Sequence, residues 1–165
     1  MPPRIPVSRK TVDLSAFPDL VVIYLGMRAR SLRRLLTVLR FGPRFSQAVA
    51  AMPNGLLLHE QLLHEQLLYS LFPLHVGMRQ YWRDFDSLEA WARSVPHQKW
   101  WQDFMRDTGG TGFWHETYFM RGGAEAVFDD IEPAVGFARF APVLPAEGAM
   151  FSARQRLRQK EGGSR

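Results

Sequence analysis

Strand-like and helix-like segments follow one another along this chain in an order that few folds can accommodate. The run "LVVIYLGMR" (20–28) predicts a buried strand, because short stretches of branched and aromatic residues are typical of strands. A basic segment with helical periodicity follows it. Further strands are predicted at "LHVGMRQYWRD" (74–84), "FWHETYFM" (113–120) and "AEAVFDDI" (124–131).

The segment "DFDSLEAWARSVPHQKWWQDFMRD" (84–107) predicts a second helix. Either Asp86 or Ser87 caps its first backbone amides, and Pro96 interrupts it. The resulting order is strand, helix, strand, strand, helix, strand, strand. Two helices on one face of an antiparallel sheet form a ferredoxin-like α+β fold. Such a sheet leaves its other face bare, and this face must find a partner, a ligand, or both.

The stretch "HEQLLHEQLL" (59–68) is a tandem pentapeptide with a partial likeness to a zinc-binding helix. Zinc-binding helices of that type carry two histidines four residues apart, whereas His59 and His64 are five apart. A five-residue step turns side chains by about 140° around a helix, and on a strand it sends them to opposite faces. One zinc ion therefore cannot bind both histidines, and no metal site is predicted. We interpret the repeat as a strand that contains a bulge.

Composition limits both the architecture and the chemistry. The absence of cysteine excludes disulfides, thiolate nucleophiles and iron–sulfur clusters, and 165 residues with 46% hydrophobic content suffice for one buried core. We expect a flexible N-terminal arm over residues 1–18, one folded domain over 19–150 and a basic C-terminal tail over 151–165. Neither an apolar run of about 20 residues nor a signal peptide is recognisable, so we expect a cytoplasmic protein.

The net charge of +5 is unevenly distributed. Residues 20–58 contain no acidic residue, and residues 30–44 combine a leucine stripe with arginines. We interpret this segment as a surface helix with solvated arginines, with contact to an anionic membrane surface as the alternative. Nucleic acid is not an expected partner, because no nucleic-acid-binding motif accompanies the basic segment. The six arginines of residues 20–58 are Arg28, Arg30, Arg33, Arg34, Arg40 and Arg44.

The stretch "FWHETY" (113–118) is the densest cluster of reactive side chains in the sequence. If Glu116 faces a cavity, desolvation raises its pKa and it can act as a general base; if the opposite face does, His115 is the base or an axial ligand. The structural alternatives are a hydrogen-bonded core or interface histidine and a glutamate paired with Arg79 or Arg83. Strand alternation puts Trp114, Glu116 and Tyr118 on one face and Phe113, His115, Thr117 and Phe119 on the other.

Three stretches together resemble a known family. "VVIYLGMR" with the basic helix after it, "QYWRDFDSLEAWARSVPH" (80–97) and "GTGFWHETY" (110–118) are similar to the fumagillin-pathway-monooxygenase-like family. This family belongs to the dimeric α+β barrel superfamily, together with the antibiotic biosynthesis monooxygenases. The resemblance spans about residues 20–131. The stretch from Trp82 to His97 also resembles the superfamily's Ser-Pro-His pattern, here with Val95 inserted between Ser94 and Pro96.

The resemblance implies that two protomers pair their sheets into a dimeric α+β barrel, with a mainly apolar pocket between each sheet and its helices. It also implies a monooxygenase-like enzyme that oxygenates a small apolar or aromatic molecule without a cofactor. In that mechanism His115 or Glu116 removes an acidic proton, and the carbanion passes an electron to oxygen. The substrate-binding residues implied are Trp82, Trp114 and Tyr118, which stack on the substrate, and Arg79, which steadies the developing anion. The alternative for Trp82, Trp114, Trp100 and Trp101 is a role in packing.

Two alternatives remain open at this stage. Relatives in the superfamily also bind or degrade haem, which makes His97 and His115 candidate haem ligands. The third possibility is a non-catalytic homodimer that binds a small apolar ligand.

Overall fold

The computed structural model describes residues 8–29, 36, 47–63, 75–131 and 133–162 of the chain. It divides into two compact units, of which one comprises Asp19–Phe119 and the other Met1–Pro18 together with Met120–Arg165. No helix in the described ranges is long and apolar enough to cross a lipid bilayer. The predicted basic helix at 30–44 lies outside the described residues apart from Leu36, which is helical.

The unit Asp19–Phe119 contains a four-stranded antiparallel sheet and two helices, α1 and α2, whose bounds are given below. Its strand order β3-β4-β2-β5 is that of a ferredoxin-like fold, which confirms the predicted α+β class. Residues 47–50 are also helical. The strands are β2 (Val21–Ala29), β3 (Leu56–Leu63), β4 (His75–Trp82) and β5 (Thr111–Phe119), and the helices are α1 (Phe85–Ala92) and α2 (Val95–Arg106).

Strand alternation divides the side chains of this sheet between two faces. Cross-strand pairs such as Leu25 with Met78 and Leu25 with His115 lie on the face that the helices cover. We call this side the helical face and the other side the opposite face. The main core forms on the helical face, where burial of apolar surface is worth about 25 cal/mol per Å². Its buried members are Val21, Leu25, Val49, Leu56, Trp82 and Leu88.

The two helices begin and end for identifiable chemical reasons. Asp84 caps α1, because its carboxylate accepts a hydrogen bond from the backbone N–H of Ser87 at 2.8 Å. The cap predicted at Asp86 or Ser87 was therefore wrong by two or three residues. The break predicted at Pro96 is confirmed, since α1 ends before it and Pro96 lies in the first turn of α2. Proline fits there because the first helical amides have no partner within the helix.

The first copy of the pentapeptide lies in β3, and the second copy, 64–68, lies outside the described residues. His59 pairs with Gln80 on the helical face, and Glu60 pairs with Arg79 on the opposite face. The predicted strand is confirmed for the first copy. The register shift lies between Leu56 and Leu58, before the repeat rather than within it. The repeat therefore places a histidine and a glutamate on opposite sides of an edge strand.

Deleting His64–Leu68 is expected to leave the protein folded, with a free energy of unfolding within about 1 kcal/mol of the full chain. The reason is that the first copy already supplies the β3 ladder residues, and residues 69–74 remain to connect β3 to β4. Urea unfolding followed by tryptophan fluorescence measures this. A loss larger than about 3 kcal/mol would show that the second copy is structural.

A matched pair of substitutions provides the control for this deletion. Glu60→Gln is expected to cost about 1–3 kcal/mol, because the half-buried Arg79 loses its charged partner. Glu65→Gln changes the equivalent position of the second copy and is expected to cost less than about 0.5 kcal/mol. Equal losses for both variants would contradict the observed register.

The unit of Met1–Pro18 with Met120–Arg165 contains a three-stranded antiparallel sheet of order β6-β1-β7. The arm predicted as flexible therefore contains a strand, in which Thr11 and Val12 are buried. The predicted tail contains a helix, in which Arg156 is 4% exposed and bonds Glu125 and two backbone carbonyls. The predicted strand 124–131 shortens to two residues. The bounds are β1 (Arg9–Val12), β6 (Phe128–Asp129), β7 (Val143–Pro145) and α3 (Ala153–Gly162).

Candidate functional site

A cavity of about 610 Å³ lies between the helical face of the sheet and helices α1 and α2. All of its lining residues belong to the unit Asp19–Phe119. The volume falls within the range of small-molecule sites. Aromatic rings dominate its walls: Phe85, Trp91, Trp100, Trp101, Phe104 and Phe113. The polar residues of the lining are Gln80, Glu89, His97, Gln98, Gln102, His115 and Thr117.

Strand β5 supplies the reactive part of the cavity floor. Phe113, His115 and Thr117 line the cavity, whereas Glu116 pairs with Tyr24 on the opposite face. The imidazole of His115 lies beside the Phe113 ring, with ring centroids 5.9 Å apart, and remains exposed in the single chain. Of the two predicted general bases, His115 therefore lines the cavity and Glu116 does not.

Helix α2 places His97 on the cavity roof. Its ring lies 4.7 Å from the Trp91 ring and 6.3 Å from the Trp100 ring, measured between centroids. Burial lowers the pKa of His97, and a hydrogen bond to the backbone carbonyl of Ala92 opposes this effect only in part. The imidazole of His97 is consequently held in its neutral form near pH 7. His97 and His115 thus line the same cavity from its roof and its floor.

Buried polar contacts stiffen the floor next to these residues. Gln80 is 1% exposed, accepts a hydrogen bond from Nε1 of Trp82 at 3.1 Å, and lies 3.4 Å from Nδ1 of His59. Burial lowers the pKa of His59, with a smaller opposing effect from the Glu60 carboxylate. Trp82, predicted to stack on a substrate, instead lies in the core with 0% exposure. Its role in this structure is to fix the amide of Gln80.

The opposite face of the sheet carries a separate polar network. Arg79 donates hydrogen bonds to Glu60 at 2.7 and 3.0 Å and to the Tyr24 hydroxyl at 2.9 Å. Burial alone would lower the pKa of Arg79, but these hydrogen bonds raise it above its usual value. Tyr118 donates a hydrogen bond to Glu116, which raises the pKa of Tyr118. The predicted residues Arg79, Glu116 and Tyr118 thus share a face, but not the face of the cavity.

Trp114 also lies on the opposite face, where a glycine makes room for its indole. A side chain at Gly26 would approach the Trp114 ring and the carbonyl of Val76 to 2.8 Å. The indole crosses this gap and donates a hydrogen bond from Nε1 to Nε2 of His75 at 2.7 Å. This bond uses the N–H donor of the indole ring. In the single chain, the side chain of Trp114 therefore links β5 to β4.

Residues that sequence reasoning missed are mainly the polar ones. Gln80 could have been found, because it alternates with Met78 and Trp82 along a predicted strand. Gln98 and Gln102 share a helical face through their four-residue spacing, but nothing in the sequence showed that this face covers a cavity. Across the ranges the structure describes, no cluster of three or more potential metal ligands occurs.

Acid is expected to destabilise the protein as the pH falls below about 6.5. The folded-state pKa values of His59 and His97 are both lowered from 6.5, so the unfolded chain binds more protons in this pH range. Stability is therefore complete above pH 6.5 and is lost as the pH falls. The lowered carboxyl pKa values of Asp84 and Asp129 act only at more acidic pH.

Urea unfolding at about pH 7.5 and about pH 5 measures this difference. The variant His97→Phe should lose less stability between the two pH values than the natural chain does. An equal loss in both proteins would show that His97 is not kept neutral by the fold.

Several solved structures share this architecture. Over 93% of the chain it is similar to an aldoxime dehydratase, with a TM-score of 0.67 and 21% identity. The chain is also similar to the aldoxime dehydratase OxdRE in complex with butyraldoxime, with a TM-score of 0.63 and 21% identity over 94% of the chain. The chain spans less than half of these relatives, 43% of each.

A weaker similarity links the chain to SnoaB, a cofactor-independent oxygenase from Streptomyces nogalater. The TM-score is 0.44 at 13% identity, over 61% of this chain and 91% of that one. None of the curated proteins matches the chain. The family model described as Monooxygenase af470-like matches residues 20–137, which is more than half of the sequence and contains the whole cavity. The chain belongs to the Monooxygenase af470-like family.

Proposed function

We propose that this protein is a monooxygenase that oxygenates a small apolar or aromatic molecule, without a cofactor, in the cavity beneath α1 and α2. The observation that carries the proposal is the position of His115, a potential base on the floor of an aromatic cavity. Membership of a monooxygenase family supports the reaction class. The fumagillin-pathway-monooxygenase-like family, which the sequence resembles, is a finer assignment and remains a prediction.

The proposed reaction begins with proton transfer to the imidazole of His115 from an acidic C–H group of the substrate. The delocalised carbanion transfers one electron to molecular oxygen, and the two radicals combine to form a C–O bond. The resulting peroxide anion takes the proton back from His115. Loss of water from this hydroperoxide leaves a carbonyl group, so oxygen is the oxidant and the substrate is oxidised. The aromatic walls surround the carbanion with apolar groups.

Anthrone tests this proposal, because it is a flat tricyclic ketone with an acidic CH₂ group. The balanced reaction is anthrone plus O₂ to anthraquinone plus water. An oxygen electrode should record protein-dependent consumption above the spontaneous rate, with one O₂ used for each anthraquinone formed, in buffer containing EDTA. A rate equal to the protein-free rate for anthrone and related acidic C–H compounds would instead favour a non-catalytic binding protein.

Haem binding is the second candidate, and one observation favours it. A neutral imidazole is the form that ligates iron, and His97 is held neutral at the cavity wall. The described lining, however, contains no lysine or arginine to pair with the propionates of haem. The described donor set therefore fits haem only in part. A Soret band that sharpens on addition of haemin and is lost in His97→Phe would support this candidate.

We also propose that two copies of the chain pair through the opposite face of the sheet. Tyr118 on this face is 44% exposed, and the adjacent Glu116 is also exposed. Light scattering on the purified protein should give the mass of a dimer, and Tyr118→Arg should shift it to a monomer. A natural chain that is monomeric at micromolar concentration would refute the pairing.

A further inference from the structure

The charge of the cavity lining restricts the ligands that it can hold. Among the described lining residues only Glu89, His97 and His115 are ionisable, and none is a lysine or an arginine. Glu89 is itself bound by the exposed Arg93 at 2.8 Å, so this pair adds no net charge at the cavity edge. Among these described lining residues an anionic ligand finds no cation to replace the hydration that it loses, which disfavours its binding. An uncharged ligand has no such cost.

One cavity residue is oriented to accept a hydrogen bond. A carbonyl only accepts hydrogen bonds, so the backbone carbonyl of Ala92, which acts on the pKa of His97, favours the tautomer whose N–H faces that carbonyl. In the neutral ring the second nitrogen then carries a lone pair. The rings of Trp91 and Trp100 on either side keep the imidazole in place. An O–H or N–H group of a bound ligand is a fitting partner for that nitrogen.

The position of His97 in its helix favours the same state. His97 is the third residue of α2, a helix of 12 residues. The N-terminal turn of a helix has a partial positive charge, which disfavours an imidazolium and leaves an acceptor unaffected. The first turn of α2 contains no acidic residue that would offset this. Among the lining residues that the structure describes, Glu89 on α1 and His115 on β5 are the other titratable groups of the cavity.

We propose that the cavity selects uncharged, ring-containing ligands that carry a hydrogen-bond donor, and that His97 is the positioning residue that accepts this hydrogen bond. The inference rests on the proposed use of this cavity as the substrate site. It adds a charge requirement and a recognition residue to that proposal. His115 remains the catalytic base, and His97 holds the ligand above it.

Three probes of nearly equal size test the charge requirement and the hydrogen-bond requirement separately. 1-Naphthol is neutral at pH 7 and donates a hydrogen bond, 1-methoxynaphthalene is neutral without a donor, and 1-naphthoate is an anion. Calorimetric titration of the full chain at pH 7 should give the tightest binding for 1-naphthol, roughly tenfold tighter than for either of the others. Equal or tighter binding of 1-naphthoate would overturn the charge requirement. Failure of all three to bind would overturn the proposal as a whole.

Variants of His97 test its role as the acceptor. His97→Phe should remove the preference for 1-naphthol over 1-methoxynaphthalene, and the affinity for 1-methoxynaphthalene should stay within about twofold. His97→Gln retains an acceptor and should preserve part of the preference. Lys99→Gln, an exposed change on the same helix, should alter neither affinity. Equal weakening of both neutral probes in His97→Phe and His97→Gln would show a merely structural role.

Oxygen consumption distinguishes failure of this inference from failure of the proposed function. Selective 1-naphthol binding without anthrone oxidation would refute the oxygenase and leave the recognition by His97 standing. Oxidation of a hydroxyanthrone, which adds an O–H donor to the anthrone ring system, with a KM that is unchanged in His97→Phe would retain the oxygenase and refute the role of His97.

Discussion

Replacing His115 by alanine is expected to slow anthrone-dependent oxygen consumption by about 100- to 10,000-fold, the usual contribution of a general base. His115 lines the floor of the cavity, between Phe113 and Thr117 on the same strand face. Alanine removes the imidazole without placing a new group in the cavity. The loss should therefore lie in kcat, with a smaller change in KM.

Glu116→Gln is the matched control for this experiment. Glu116 is the next residue in β5, but it lies on the opposite face, where it accepts a hydrogen bond from Tyr118. The variant should retain kcat within about twofold, because the substituted group does not reach the cavity. A larger loss in Glu116→Gln than in His115→Ala would move the base to the opposite face and overturn the proposed mechanism.

Replacing Trp82 by alanine is expected to lower the free energy of unfolding by about 3–5 kcal/mol. Trp82 is 0% exposed and belongs to the cluster that contains Val21, Leu56 and Leu88. Its removal leaves a cavity in the core and deprives the buried amide of Gln80 of its donor at 3.1 Å. Both effects act in the same direction. Urea unfolding monitored by far-UV circular dichroism measures the change.

Trp101→Ala is the control for the size of the side chain. Trp101 is 44% exposed and lies at the cavity, so its loss should cost no more than about 1–2 kcal/mol. Equal losses in the two variants would contradict the assignment of Trp82 to the core and of Trp101 to the cavity wall. A binding role for Trp101 would appear as weaker binding of 1-naphthol in the Trp101 variant.

The strands β2 to β5 and the helical segment between β4 and β5 could be predicted because periodicity is a local property. The alternation of "FWHETY" assigned His115 and Glu116 to opposite faces, as the structure shows. The alternation could not show which face borders the cavity, because a period of two only sorts the side chains into two faces. That choice depends on where α1 and α2 pack, which involves contacts between residues that are distant in the sequence.

Contacts between distant residues also explain the sequence predictions that were wrong. Arg9–Val12 was assigned to a flexible arm because the start of the sequence is proline-rich and charged, but it pairs with Phe128–Asp129 and Val143–Pro145. No local pattern reveals such a pairing. Asp84 caps α1, rather than Asp86 or Ser87, because its backbone is extended. All three residues are good caps, so their sequence alone does not determine where the helix begins.

The location of the bound product tests the central claim most directly. A crystal structure of the protein soaked with anthraquinone should show the ring system between α2 and β5, with a carbonyl or ring edge within about 3.5 Å of His115. His97 should contact the same molecule from the roof of the cavity. Density for anthraquinone on the opposite face of the sheet, beside Arg79 and Glu116, would contradict the account.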